Sequence, residues 1–261
     1  MSFSEARRVS HSTRVAAIFV LACALVANSA SLAAPSKCPE HYANGNLPEI
    51  TFAPLQSNTV ELCSAGYGVV YSGIARAPIW SAEHLTPGRI RAAEAVGRSD
   101  QFEADMRLPE DWRSELADFK GSGYDRGHLA PSADMPSPAA DAQSFLLSNI
   151  VAQDSQNNRN LWAAIEKAVR ALARHREIFV VTGPLWIGKE VIWLNGRVMV
   201  PTHLYKLIYD PQNQAAAAYL VENAPDKAHR AISLDELEAL AGIRFFPGQE
   251  MQRLKLPRPR Y

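Results

Sequence analysis

From Glu177 to Val221 the chain holds a series of short apolar, β-branched stretches separated by little more than turn signals. Glu177-Ile-Phe-Val-Val-Thr182 reads as a buried strand ended by Gly183-Pro184. Val191-Ile-Trp193 and Val198-Met-Val200 flank Asn195-Gly196, whose two residues tolerate the left-handed backbone that a tight hairpin needs. His203–Tyr209 and Ala215–Val221 are further strands. Upstream, Tyr67–Ser72 and Ile79-Trp80-Ser81 read as strands, followed by a helix-like stretch near Ser81–His84. Residues 86–124 are polar and punctuated by Gly and Pro, which implies loops, and context places a strand near 125–130. The clearest helix begins near Asn158, where Trp162, Ile165, Val169 and Leu172 recur at spacings of 3, 4 and 3. Ser233-Leu-Asp-Glu236 is a capping box opening a second helix that ends at Gly242. Strands and helices mixed without regular βαβ alternation predict an α+β fold. No internal repeat or low-complexity linker divides the chain, so residues 34–261 are expected to form a single domain.

The first 33 residues have a different character. Arg7, Arg8 and Arg14 precede an apolar run from Val15 to Ala27, and small residues follow from Ser29 to Ala34. That is the order of a secretory signal, with cleavage expected after Ala33. The apolar run falls short of the about 20 residues a membrane span needs, so no membrane association is expected after cleavage. A periplasmic or secreted location follows. Removal of residues 1–33 leaves 24 basic and 26 acidic side chains and discards Cys23, so that Cys38 and Cys63 remain. Two cysteines in an exported chain predict one disulfide. It would tie down the segment 34–65, which reads as irregular, with Pro39, Gly45, Pro48 and Pro54 as punctuation.

The full chain has 27 basic and 27 acidic side chains. Such a balance lacks the strongly basic footprint of many nucleic-acid binders. A nucleic-acid function must then rest on a local basic patch and a metal. Two segments offer the chemistry. Gly121-Ser-Gly-Tyr-Asp-Arg-Gly-His128 offers a base and a cation; taken alone, it reads more readily as a charged surface turn. In the second, Asn158 and Glu166 stand eight residues apart, which on an α-helix is two turns along and about 80° around the axis. Asn is a neutral oxygen donor that suits a Mg²⁺ keeping most of its waters, although Asn near a helix start is also a common cap. No His/Cys/Asp cluster with zinc spacing is present.

Together these segments resemble the DNA/RNA non-specific endonuclease family, the ββα-metal nucleases that include endonuclease G. The resemblance rests on Gly-Ser-Gly-Tyr-Asp-Arg-Gly-His128, Phe145-Leu-Leu-Ser-Asn-Ile150, Gln153, Asn158, Trp162 and Glu166. Thr182-Gly-Pro184, Val200-Pro-Thr-His203 and Leu240-Ala-Gly-Ile-Arg-Phe-Phe-Pro247 extend it, from about Gly66 to Pro247. It implies a central antiparallel sheet flanked by helices and a ββα-metal (His-Me finger) active site. It also implies roles. His128 is the general base that takes a proton from water, Asn158 the single direct protein ligand to Mg²⁺, and Glu166 the holder of a water on that ion. Asn149 is a supporting amide and Arg126 a phosphate contact. A second arginine is best matched by Arg98, with Arg91 and Arg89 nearby. Asp125 either orients its neighbours or is structural. The family pattern has Pro where Ala152 stands and Leu where Asn157 stands; the second departure makes Asn157 and Asn158 ambiguous, and the eight-residue spacing to Glu166 resolves the ligand to Asn158.

The implied activity is Mg²⁺-dependent hydrolysis (Mn²⁺ being the alternative ion) of internal phosphodiesters in DNA and RNA, leaving 5′-phosphate ends. Contacts to phosphate carry no base information, so low specificity is expected. The competing readings are a catalytically silent nucleic-acid binder and a phosphodiesterase for small substrates on the same fold. A homodimer is left open.

Overall fold

The computed structural model describes residues 34–188, 190–225 and 228–260; the expected signal at 1–33 lies outside the described residues. Its main sheet is built from Thr59–Cys63, Gly68–Ser72, Ala77–Leu85, Ile178–Leu185, His203–Asp210, Ala215–Glu222 and His229–Ile232. In space, Ala77–Leu85 and Ile178–Leu185 are neighbours at the centre, and every pairing among these seven strands is antiparallel. The short Gln252–Arg253 adds in parallel to Ala215–Glu222.

The strand His203–Asp210 shows why the sheet is covered on both faces. Its side chains alternate in direction. Leu204 and Ile208 pack with Leu161, Trp162, Ile165 and Val169 of the helix expected near Asn158. Tyr205, Leu207 and Tyr209 pack on the other side with Leu234, Leu237 and Ala241 of the C-terminal helix Leu234–Ala241. In that helix the Ser233 Oγ accepts the Glu236 N–H at 3.2 Å, and Gly242 stops it at φ +63°.

The hairpin around Asn195-Gly196 forms as its sequence predicts. Asn195 (φ +49°) and Gly196 (φ +67°) are both left-handed, and Leu194 pairs with Val198. The helix-like reading of Ser81–His84 is corrected: these residues continue the strand Ala77–Leu85, held in register by Ser81 opposite Thr182 and His84 opposite Phe179. Sheet pairing on both edges outweighs the local pattern there. The N-terminal segment is also more regular than expected, because Thr59–Cys63 is the edge strand of the sheet. Within the polar stretch 86–124, Thr86 caps a short helix, Pro87–Ala93. Cys38 and Cys63 are joined in a disulfide, with Cα atoms 5.7 Å apart.

Candidate active site

The strand predicted near 125–130 is Tyr124–His128, and it lies outside the main sheet. It pairs with Ile150–Asp154 in a two-stranded antiparallel ribbon that sets His128 opposite Ile150 and Asp125 opposite Gln153. Gly127 has no room for a side chain: a Cβ there would come within 2.1 Å of the Gln153 Oε1. Gln153, fully buried, in turn donates from Nε2 to the Asn157 Oδ1 at 3.0 Å. The glycine of the Asp-Arg-Gly-His stretch thus lets the ribbon close down on the start of the next helix.

That helix begins as a π turn, Asn157–Trp162, and continues as an α-helix, Ala163–Ala173. The wider turn rotates less per residue than an α-helix, which reduces the 80° offset between Asn158 and Glu166 expected for a regular helix. The structure also separates the two asparagines. Asn157 is buried and committed: its Oδ1 accepts from Gln153 and its Nδ2 donates to the Glu222 carbonyl at 3.0 Å. Asn158 commits only its Nδ2, to the Asp125 Oδ2 at 3.0 Å; its Oδ1 has no partner among the described residues. Asp125 is clamped from the other side by Arg159, at 2.8 and 2.7 Å. Burial works to raise the Asp125 pKa, but Arg159, Asn158 and Arg126 outweigh it and hold the carboxyl below its usual range.

Glu166 forms neither a hydrogen bond nor an ion pair with any described residue. Some of its surface is open, yet burial pushes its carboxyl up to about 7, against the opposing charges of Lys206 and Arg170. His128 is 9% exposed and sits against two rings, Phe145 edge-on at 4.8 Å and Phe102 at 5.3 Å. Its Nε2 is enclosed with no hydrogen-bond partner among the described residues. Burial first, then the charge of Arg98, drives its pKa down to about 3, and Arg126 adds to this while Asp100 opposes it. The imidazole is therefore neutral at ordinary pH, as a proton acceptor must be.

The same two rings seat the candidate phosphate contacts. The Arg126 guanidinium lies 4.1 Å from the Phe102 ring centre and the Arg98 guanidinium 4.9 Å from that of Phe145. Arg98 is half exposed and pairs with Asp100 at 2.5 Å; its charge reaches both His128 and Glu166. Arg89, the more distant sequence candidate, is taken up internally by Glu83 and by the carbonyls of His84 and Asp134. The Arg91 side chain forms no hydrogen bond or ion pair with the site among the described residues. Asn149 supports rather than reacts. Its Oδ1 accepts from Ser81 Oγ and the Ala130 N–H, and its Nδ2 donates to the Ala130 and Ser144 carbonyls, all within 3.0 Å. Those four bonds use every donor and acceptor of the amide.

Behind the site lies a layer of buried charge that the sequence reading missed. Lys206 donates to the Thr182 Oγ1 at 2.7 Å and to the carbonyl of Leu129, the residue after His128, at 3.3 Å; it also faces the Trp162 ring at 5.3 Å. Arg170, one turn beyond Glu166, pairs with buried Asp134. Burial, reinforced by Asp134, raises the buried Glu83 to about 8 against the opposing Arg89 and Lys206. A signal was available: Glu83 and Lys206 are single charges inside apolar strand stretches, where an unpaired charge is costly.

The arrangement offers a neutral base, two accessible cations, and a helix with a free amide oxygen and an unpartnered carboxyl. Among the described residues, the single set of three His, Cys, Asp or Glu ligand atoms close enough to share an ion is Cys38, Glu61 and Cys63, whose sulfurs are joined to each other.

Residues 45–252 match the family described as DNA/RNA non-specific endonuclease. Among curated relatives, Nuclease C1 of Cunninghamella echinulata var. echinulata is 35% identical over 210 residues, covering 72% of this chain and 83% of that one. A nuclease of Nostoc sp. is 32% identical, covering 78% and 80%. The mitochondrial nuclease EXOG of Homo sapiens is 33% identical, and there the match spans only 58% of the relative. Among solved structures, that of the EndoG/EndoGI complex superposes with a TM-score of 0.67 at 29% identity, covering 73% of this chain and 86% of that one.

Proposed function

Because this chain belongs to the DNA/RNA non-specific endonuclease family, we propose that it cuts internal phosphodiesters of DNA and RNA in a Mg²⁺-dependent reaction and works in an oxidising compartment outside the cytoplasm. The observation that carries the reading is the pair Asn158 and Glu166. An amide oxygen and a carboxyl lie two turns apart without partners among the described residues, on a helix tied through Asp125 to the strand that bears His128. One neutral oxygen ligand with a nearby carboxylate fits Mg²⁺, which binds through few protein groups and keeps several waters.

Asn158 would hold the ion through Oδ1, and Glu166 would accept a hydrogen bond from one of its waters. Bound there, the ion supplies positive charge against the charge that develops on the phosphate and the leaving oxygen. His128 takes the proton from the attacking water. With Nε2 enclosed, Nδ1 is the nitrogen left for this step. Arg98 and Arg126, perched on Phe145 and Phe102, the two rings beside the imidazole, bind phosphate oxygens and orient the ester for in-line attack. The products are 5′-phosphate and 3′-hydroxyl ends. No group in this set reads a base edge, which supports low sequence preference. The disulfide supports the oxidising compartment, and the amino-terminal signal pattern at 1–33 supports export.

Incubation with circular plasmid and with RNA, with and without EDTA, tests the reading. Linearised and then degraded plasmid, protection by EDTA and rescue by Mg²⁺ are expected. Retardation of the plasmid without any cut would instead make the protein a silent binder, and hydrolysis confined to small esters would make it a nucleotide phosphodiesterase.

A further inference from the structure

Beside the site, a hollow of about 370 Å³ opens between the short helix Leu116–Phe119 and the outer end of the His128 strand. Lys120, Tyr124, Asp125 and Arg126 line it, with Leu116 and Phe119. Three features make it suited to a nucleotide. Alternation along the strand puts Tyr124, Arg126 and His128 on one side, so the hollow continues the face that carries the base. Its charge is positive: Asp125 is neutralised by the two bonds from Arg159, while Lys120 and Arg126 have no ion-pair partner among the described residues. Tyr124 is the one partly open aromatic ring in the wall, since Phe119 is buried.

We propose that this hollow is a subsite for a nucleotide flanking the scissile phosphate, with Lys120 contacting its phosphate and the Tyr124 ring stacking on its base. Tyr124 and His128 are four residues apart, about 13 Å along an extended strand. The occupant is therefore a neighbour of the cleaved linkage rather than the linkage itself. Stacking on Tyr124 requires an unpaired base, because a duplex keeps its bases stacked on one another. The subsite thus recognises single-stranded DNA or RNA, and in a duplex it offers only the Lys120 phosphate contact. It rests on the nuclease reading above and adds to it a binding preference.

Binding is measured on His128→Ala protein, so that cleavage is slow against the measurement, by anisotropy of a labelled single-stranded oligonucleotide across a salt series. Lys120→Ala in that background should weaken binding and make the slope of log K against log salt shallower by about 0.7, the value for one lost phosphate contact on a single strand. A series of oligonucleotides, each with one abasic nucleotide, should show one position beside the cut where loss of the base weakens binding about five-fold or more. In Tyr124→Leu that penalty should vanish, and duplex binding should be unchanged. An unaltered salt slope in Lys120→Ala, or an abasic penalty that persists in Tyr124→Leu, overturns the subsite. The Lys120 side chain is exposed and bonds to nothing described, so its variant stays informative even if Tyr124→Leu fails to fold. Failure of the wild-type protein to cut any nucleic acid would sink the nuclease reading instead, and it is scored in a separate assay.

Discussion

Asp125 accepts the side-chain amide of Asn158 at 3.0 Å, which fixes the amide and leaves its Oδ1 without a partner among the described residues. The bond crosses from the His128 strand to the first turn of the helix, so the base and the candidate metal ligand share one support. Asp125→Ala should therefore lower Mg²⁺ affinity roughly 10- to 100-fold, the usual effect of removing a partner that orients a ligand. Asn158→Ala should abolish measurable Mg²⁺ binding, and Asn157→Ala should instead cost stability, because Asn157 is committed to Gln153 and Glu222. Calorimetric titration of Mg²⁺ into each variant decides. Unchanged affinity in Asn158→Ala would remove it as the ligand.

Glu166 makes a second prediction, in which pH and metal are linked. Burial holds its carboxyl up at about 7 without metal, and a bound cation favours the charged form. Mg²⁺ binding should thus release a proton near neutral pH. The acidic limb of the activity profile should move to lower pH as Mg²⁺ is raised, and Glu166→Gln should lose that movement along with most of its activity. The sign for stability runs the opposite way to that of a salt-bridged carboxylate. A pKa raised on folding means that stability is full below the unfolded value of 4.5 and is lost as pH rises through about 7. Metal-free protein should melt at lower temperature at pH 8 than at pH 6, with Glu83 adding to the trend and Mg²⁺ offsetting it. An acidic limb fixed at one pH whatever the Mg²⁺ concentration would contradict this.

The disulfide fastens the N-terminal segment to the end of the edge strand Thr59–Cys63, across a sequence separation of 25. Constraining a loop of that size in the unfolded chain contributes about 3–4 kcal/mol. Cys38→Ser/Cys63→Ser should lose roughly that much stability in denaturant titration while keeping nuclease activity in the folded fraction, since neither cysteine bonds to His128, Asn158 or Glu166 among the described contacts. Equal loss of activity and stability would tie the segment to the site.

Local chemistry made much of this molecule legible before its structure. Asn195-Gly196, the Ser233 cap and the apolar spacing from Trp162 to Leu172 each act within a few residues, so the sequence carries them directly. Ser81–His84 misled because its conformation is decided by Thr182 and Phe179, a hundred residues away. The π turn was equally hidden: at its start Asn157 bonds Gln153 and Glu222, which lie on two other elements. As candidates for the site, His128, Asn158 and Glu166 could be proposed from the motifs, but the rings that seat Arg98 and Arg126 and the buried Lys206 could not. Their roles arise from contacts over long sequence separations.

Lys206 is a group whose role sequence alone left blank; it bonds the carbonyl of Leu129, the residue after His128. His128 itself gives the sharpest expectation. Its pKa is pushed down to about 3 by burial and by Arg98, so the imidazole is neutral across the working range. Protonation of this base should not limit activity above pH 5, and any acidic limb near neutrality belongs to Glu166. His128→Ala should lower the rate about 10² to 10⁴-fold, the usual worth of a general base. Thermal stability at pH 7 should fall only modestly, because the lost ring leaves a small gap beside Phe102 and Phe145 and its enclosed Nε2 bonds to nothing described. Arg98→Ala should weaken phosphate binding and also let the His128 pKa rise toward that of a free histidine, so an acidic limb from His128 should emerge at higher pH than in the wild type. Plasmid nicking followed across pH 4–9 for the three proteins, beside melting curves for each, checks the set. Near-normal nicking by His128→Ala would remove it as the base, and loss of fold together with activity would make its role structural.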